Sequence, residues 1–148
     1  MSIYITKTDG TRELHNADRV NRSIERACAG LVDPIAMVTQ IATETYLTLY
    51  NGITTDELDH ATINAAVQNI KEDIQYDRVA TRLLLKTVYR RVIGEYDKEN
   101  PADLQKKHRD AFIHYIKSGI EQNRLHKDMG SKFNLEELAD YISLDRDE

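Results

Sequence analysis

The stretch "KTDGTRELHNADRV", Lys7 to Val20, decides how this chain begins to fold. Asp9-Gly10 tolerates the positive φ that tight hairpins require. The runs on either side, "IYIT" (residues 3–6) and "REL" (residues 12–14), therefore read as two short antiparallel strands. Asn16 or Asp18 then reads as the cap of a helix. Two cations, Lys7 and Arg19, bracket the stretch, with Glu13, Asn16 and Asp18 between them. That gathering suits a phosphorylated ligand with a ribose. It equally suits a solvated hairpin beside a capped helix.

A two-stranded hairpin is marginal alone, so these strands are expected to lie on helices. The first helix is expected over residues 18–31, with Val20, Ile24, Ala27 and Leu31 on one face. Asp33-Pro34 signals a second start, with proline at the first helical position. That helix is expected over 34–50, ended by Asn51-Gly52. Its buried stripe is read as Ile35, Val38, Ile41 or Ala42, Thr45 and Leu49. "ITTDELDHATINAAVQNIKED" opens with Thr54 and Glu57 spaced as a capping box. Leu58, Thr62, Ala65, Ala66 and Ile70 form its inner face, and the small residues there permit close helix approach. A fourth helix is expected over residues 78–96.

"DKENP" then interrupts the pattern, and a boundary is placed there: 1–97 as one domain, 98–148 as a helical extension. "PADLQKKHRDAFIHYIKSGIEQN" reads as one long helix, "RLHKDMGSKFN" as an irregular connection, and "NLEELADYI" as a last helix capped by Asn134 with Glu137. These helices carry one thin apolar stripe. The expected fold is mainly α (α+β): a short N-terminal β-hairpin lid over four helices, then an extra helical segment.

Composition narrows the function. Of the 148 residues 41% are hydrophobic, enough for a core, and 30% are charged. The formal net charge of −5 disfavours a broad nucleic-acid surface, which is built from basic stripes. No run approaches the roughly 18 apolar residues of a membrane span, and "MSIYITKTDG" lacks a signal-peptide pattern. The single cysteine, Cys28, excludes an intrachain disulfide and a cysteine-rich zinc site. These features read as a cytoplasmic protein without nucleic-acid or membrane partners.

No catalytic constellation is visible. His15, His60, His108, His114 and His126 are scattered without metal-ligand spacing. There is no glycine-rich phosphate loop. Cys28 lies beside the apolar face of the first helix and reads as a buried structural thiol. Binding is better supported. Lys7, Arg19 and Arg90 are cations near three element ends, and Thr54 and Thr55 begin a helix whose dipole favours anions.

At this point the residues resemble a family. "ITKTDGTRELHNADRVNRSIERACAGL" followed by "NGITTDELDHATINAAVQNIKEDIQYDRVATRLLLKTVYRRVIGEY" is similar to the ATP-cone, the allosteric domain at the N-terminus of ribonucleotide reductase large subunits. The resemblance covers about residues 3–96 and rests on separated motifs in matching order: a Lys-x-Asp-Gly hairpin, Glu-x-x-Asn-x-x-basic, a Thr-rich helix start and "RLLL". The tail resembles the segment joining the cone to the catalytic barrel, with Asp145-Arg146-Asp147 where the family places a turn before the barrel. On that resemblance the chain is either an excised piece or one part of a split large subunit, without catalytic residues of its own.

The resemblance implies nucleotide contacts at Lys7, Asp9, Gly10, Glu13, Asn16, Arg19, Thr55, Asp59 and Arg90. It implies ATP or dATP as allosteric effector, accompanied by magnesium, with phosphates near the basic residues and the base under the hairpin. It further implies control of reductase activity through oligomerisation. The expected partners are the remainder of the large subunit, a radical-generating small subunit and, with dATP, further copies of the chain. Thr8 stands where the family often has a basic residue, Arg19 and Arg90 where it often has lysine, and Asp59 where some members have histidine. Alternatives are a degenerate cone that only mediates subunit contacts, a standalone enzyme, and the zinc-ribbon repressor that also carries a cone. The repressor requires four cysteines before the cone.

Overall fold

In a computed structural model the structure describes residues 2–147. The described residues form one two-stranded antiparallel sheet and seven α-helices, and they divide into two compact units, Met1–Thr87 and Val88–Glu148. No helix among them is long and apolar enough to cross a membrane.

In the first unit β1 (Tyr4–Thr6) pairs with β2 (Arg12–Leu14) in the register Tyr4↔Leu14, Ile5↔Glu13, Thr6↔Arg12. The loop of Thr8, Asp9 and Gly10 closes as a tight turn. Gly10 N–H donates to Lys7 O at 2.9 Å, and Lys7 N–H to Thr11 O at 2.8 Å. Gly10 takes φ +83°, which a residue with a side chain rarely adopts. Asp9 fixes the turn by accepting from the Thr11 amide at 2.9 Å and the Thr11 hydroxyl at 2.6 Å. The hairpin is anchored along the other edge of β1. Thr6 N–H donates to Ile53 O at 2.9 Å, Gly52 N–H to Tyr4 O at 2.8 Å, and Tyr4 N–H to Asn51 Oδ1 at 3.0 Å.

Four helices begin in this unit. α1 (Ala17–Cys28) starts at Asn16, whose Oδ1 accepts from Arg19 N–H at 3.1 Å. It ends three residues before the expected Leu31, because Ala29 turns extended and Gly30 takes φ +76°. α2 (Pro34–Leu47) is capped by Asp33, itself left-handed at φ 52°. Tight bonds from Thr48 N–H to Thr45 O and Leu49 N–H to Tyr46 O close it before Tyr50. α3 (Thr55–Asn69) carries the expected capping box. Thr54 Oγ1 accepts from Glu57 N–H at 3.1 Å, and Glu57 Oε2 accepts from Thr54 N–H at 2.8 Å. α4 (Gln75–Ile93) starts three residues earlier than expected, because Asp73 Oδ1 accepts from Gln75 N–H at 2.9 Å.

The core of this unit is where α1, α2, α3 and α4 meet. Ile24, Cys28, Ile41, Ala66 and Val79 are fully buried there, joined by Met37, Ala42, Ala65, Tyr76, Ala80 and Leu83. Ala65 and Ala66, the small residues read on the inner face of α3, are both buried in this core. On α2 two expected core residues are displaced: Ile35 is 79% exposed and Leu49 lies beyond the helix end, while Met37 is buried instead. The Cys28 thiol is pushed up to about 11 by burial. A thiol reagent at pH 8 is expected to react with Cys28 many times more slowly in the folded chain than in urea, since the thiolate is the nucleophile. Equal rates would contradict its burial.

The second unit is built on α5 (Pro101–Glu121), capped by Asn100 Oδ1 on Ala102 N–H at 3.1 Å. Residues expected to be irregular include the short α6 (Asp128–Lys132). Asn134 caps α7 (Leu135–Asp140) as expected, accepting from Glu137 N–H at 3.2 Å. Leu135 and Ala139 of α7 are buried, and Gln105 Nε2 of α5 donates to Ile142 O at 2.9 Å. A single 3-10 turn (Leu144–Arg146) follows.

Candidate functional site

The residues singled out at the hairpin and the first helix come together. Ile5↔Glu13 pairing places Glu13 in mid-hairpin, and the cap at Asn16 starts α1 so that Arg19 is within its first turn. Lys7 Nζ lies 2.6 Å from Glu13 Oε2, and Arg19 lies 3.4 Å from Glu13 Oε1. One carboxylate thus holds two cations, leaving a net positive cluster. The side chains are 41–64% exposed, so the pairs add little to stability and remain accessible to a ligand. Hydrogen bonding and charge from Lys7 hold the Glu13 carboxyl below its ordinary range, with Arg19 adding to the effect. Asp9 is lowered in the same direction by its bonds from Thr11.

The start of α3 has a different character. Thr55 Oγ1 approaches Thr6 O at 3.5 Å, which ties the helix start to β1. Asp56 and Glu57 occupy the first turn, so the helix already carries two carboxylates at its positive end. Bonds from Thr54 hold Glu57 below the ordinary carboxyl range. A phosphate is therefore better matched by Lys7 and Arg19 than by this helix start.

Asp59 lies one turn into α3 and accepts from Lys86 Nζ of α4 at 3.0 Å. The same ammonium donates to Ser23 Oγ of α1 at 2.9 Å. Neither Lys86 nor Ser23 is singled out by the sequence motifs. A signal was nevertheless present: Arg82, Lys86 and Arg90 recur every fourth residue along α4. Arg82 serves structure, donating to Ala27 O at 3.0 Å and Ala29 O at 2.8 Å where α1 ends. Arg90 belongs to the second unit, on the last turn of α4.

β1, β2, α1, α2 and α3 all lie within the stretch that one family model matches. The ATP cone domain profile matches residues 3–92. The chain belongs to the ATP-cone family. The cone is 31% identical to a ribonucleoside-diphosphate reductase subunit alpha of Chlamydia trachomatis, over 99% of this chain and 14% of that protein. It is 33% identical to the subunit alpha of Haemophilus influenzae, over 72% of this chain and 14% of that protein. It is 25% identical to the reductase 1 subunit alpha of Escherichia coli, over 99% of this chain and 18% of that protein. The chain thus spans less than a fifth of the length of these relatives. Among the described residues, no three His, Cys, Asp or Glu side chains gather in a way that could hold a metal ion.

Proposed function

We propose that this chain is the allosteric N-terminal part of a ribonucleoside-diphosphate reductase large subunit, an oxidoreductase of the cytoplasm, with residues 1–97 as the effector-binding cone. Residues 98–148 would lead toward the rest of that subunit. The observation that carries the reading is the meeting of Lys7, Glu13, Asn16 and Arg19 within an ATP-cone. Lys7 and Arg19 present charged donors for triphosphate oxygens, Arg19 in a fork that binds two at once. Glu13 accepts from ribose hydroxyls or an adenine amine. Asn16 caps α1 and offers its amide to the sugar or base. The main chain from Lys7 to Gly10, held in shape by Asp9, covers the ring. Thr55 contributes its hydroxyl. Arg90 is assigned to the nucleotide on the family resemblance alone. None of these residues is assigned to magnesium, which would supply charge neutralisation to the triphosphate if it accompanied the nucleotide.

Control of activity requires that ATP and dATP stabilise different arrangements of the cone, although they differ by one hydroxyl. Asp59 is the residue proposed to tune that balance, because its carboxylate joins α3 to α4 and, through Lys86, to α1. The readout is assembly of the large subunit and access of the radical-generating small subunit.

The test has two stages. Calorimetric titration of this chain with ATP is expected to show saturable binding; no heat would leave the cone as a subunit-contact module. Asp59→Asn, placed in the complete large subunit, is expected to bind both nucleotides while losing dATP-driven assembly in light scattering. Wild-type assembly in that variant would remove Asp59 from the switch.

A further inference from the structure

Lys86 bridges three helices. Its ammonium reaches Asp59 Oδ1 on α3 at 3.0 Å and Ser23 Oγ on α1 at 2.9 Å. The Lys86 and Asp59 side chains are only 22% and 13% exposed, so this pair is screened less by solvent than the pairs at the hairpin. Its location matters. Asp59 follows Thr55 by four residues on α3, and Ser23 follows Arg19 by four on α1. Each therefore lies one helical turn behind a residue of the candidate site, on the same side of its helix. One ammonium joins the two helices directly behind those positions.

We propose that Lys86 is a positioning residue for effector selectivity: by holding Asp59 and Ser23 together it fixes the spacing of α1 and α3, and so governs how well the cone separates a ribonucleoside from a deoxyribonucleoside triphosphate. This rests on the nucleotide reading given above. The two ligands differ by one hydroxyl, and hydrogen bonds weaken steeply as distance and angle drift. A site whose two helices can shift against each other adapts to both ligands and separates neither. A site whose helices are latched keeps the misfit of one of them. Lys86 has no need to touch the ligand for this; Lys86→Met leaves every residue assigned to the ligand intact, and only the double variant also changes Asp59.

The experiment is calorimetry of ATP and dATP on this chain, reading the ratio of the two dissociation constants. Lys86→Met keeps the aliphatic stem and removes the charge, but leaves the Asp59 carboxylate without its ammonium. The double variant Lys86→Met/Asp59→Asn removes both charges and keeps the charge balance, so it remains informative if the single variant folds poorly. In both, the ratio is expected to move toward one by on the order of fivefold or more, the lower end of ordinary coupling between sites. Lys86→Arg is expected to retain the wild-type ratio, because a cation again spans the gap. A wild-type ratio in both charge-removed variants, or a wild-type chain that binds the two nucleotides equally, would overturn the proposal while leaving nucleotide binding intact. A wild-type chain that takes up neither nucleotide would instead overturn the nucleotide reading, and this proposal with it.

Discussion

Replacing Lys7 and Arg19 together by alanine is expected to weaken ATP binding by about 3–6 kcal/mol, roughly two to four decades in dissociation constant. The magnitude follows from two charge-assisted contacts of about 1.5–3 kcal/mol each. The geometry adds a condition. Both cations share Glu13, at 2.6 Å and 3.4 Å, so removing one leaves the other as the sole counter-charge of that carboxylate. Each single variant then retains a cation drawn more strongly toward Glu13, and the single losses should not add up to the double loss. Thermal stability should hardly change, because exposed ion pairs contribute little. Calorimetry and a melting curve on the same samples make the test. A double variant that binds ATP like wild type would reduce the cluster to a solvated hairpin beside a capped helix.

Ile41→Ala is expected to cost about 2–5 kcal/mol of stability, the range for a large aliphatic side chain truncated in a packed core. Ile41 is 0% exposed and belongs to the cluster formed by all four helices of the first unit. The neighbouring small residues Ala42, Ala65 and Ala66 have no long side chains that could swing into the space. Ile35→Ala on the same helix is the control: at 79% exposed it should stay within about 0.5 kcal/mol of wild type. Urea unfolding followed by circular dichroism separates the two. Equal effects would mean that α2 faces the core differently.

That contrast shows where reading the chain from its residues reached its limit. Apolar residues at Ile35, Met37, Val38 and Ile41 fit two neighbouring phases of a helical stripe, and which phase is buried depends on what the other helices present. The capping residues at Asn16, Asp33, Thr54 and Asn134 were legible because their chemistry is local: each accepts from an amide three residues ahead. The Lys7–Glu13–Arg19 cluster was legible for a similar reason, since a hairpin and a following helix start bring these neighbours together. The partner of Asp59 was not. Lys86 lies on another helix, and their pairing depends on how α3 and α4 pack, which no local pattern encodes. α1 ends about one turn early because Gly30 imposes its own turn before the apolar period runs out, and α4 starts about one turn early because Asp73 caps it ahead of that period.

The strand β1 has partners on both edges, β2 on one side and residues 51–54 on the other. A hairpin bonded on one edge only could swing freely about its ends. This one is stitched by Thr6, Tyr4 and their main-chain bonds to the segment that leads directly into α3. Force applied at the loop tip, at Thr8 or Gly10, therefore does not dissipate in a hinge. It is delivered as a push or pull on the first turn of α3, so the hairpin works as a lever arm whose short end is the helix carrying Thr55 and Asp59.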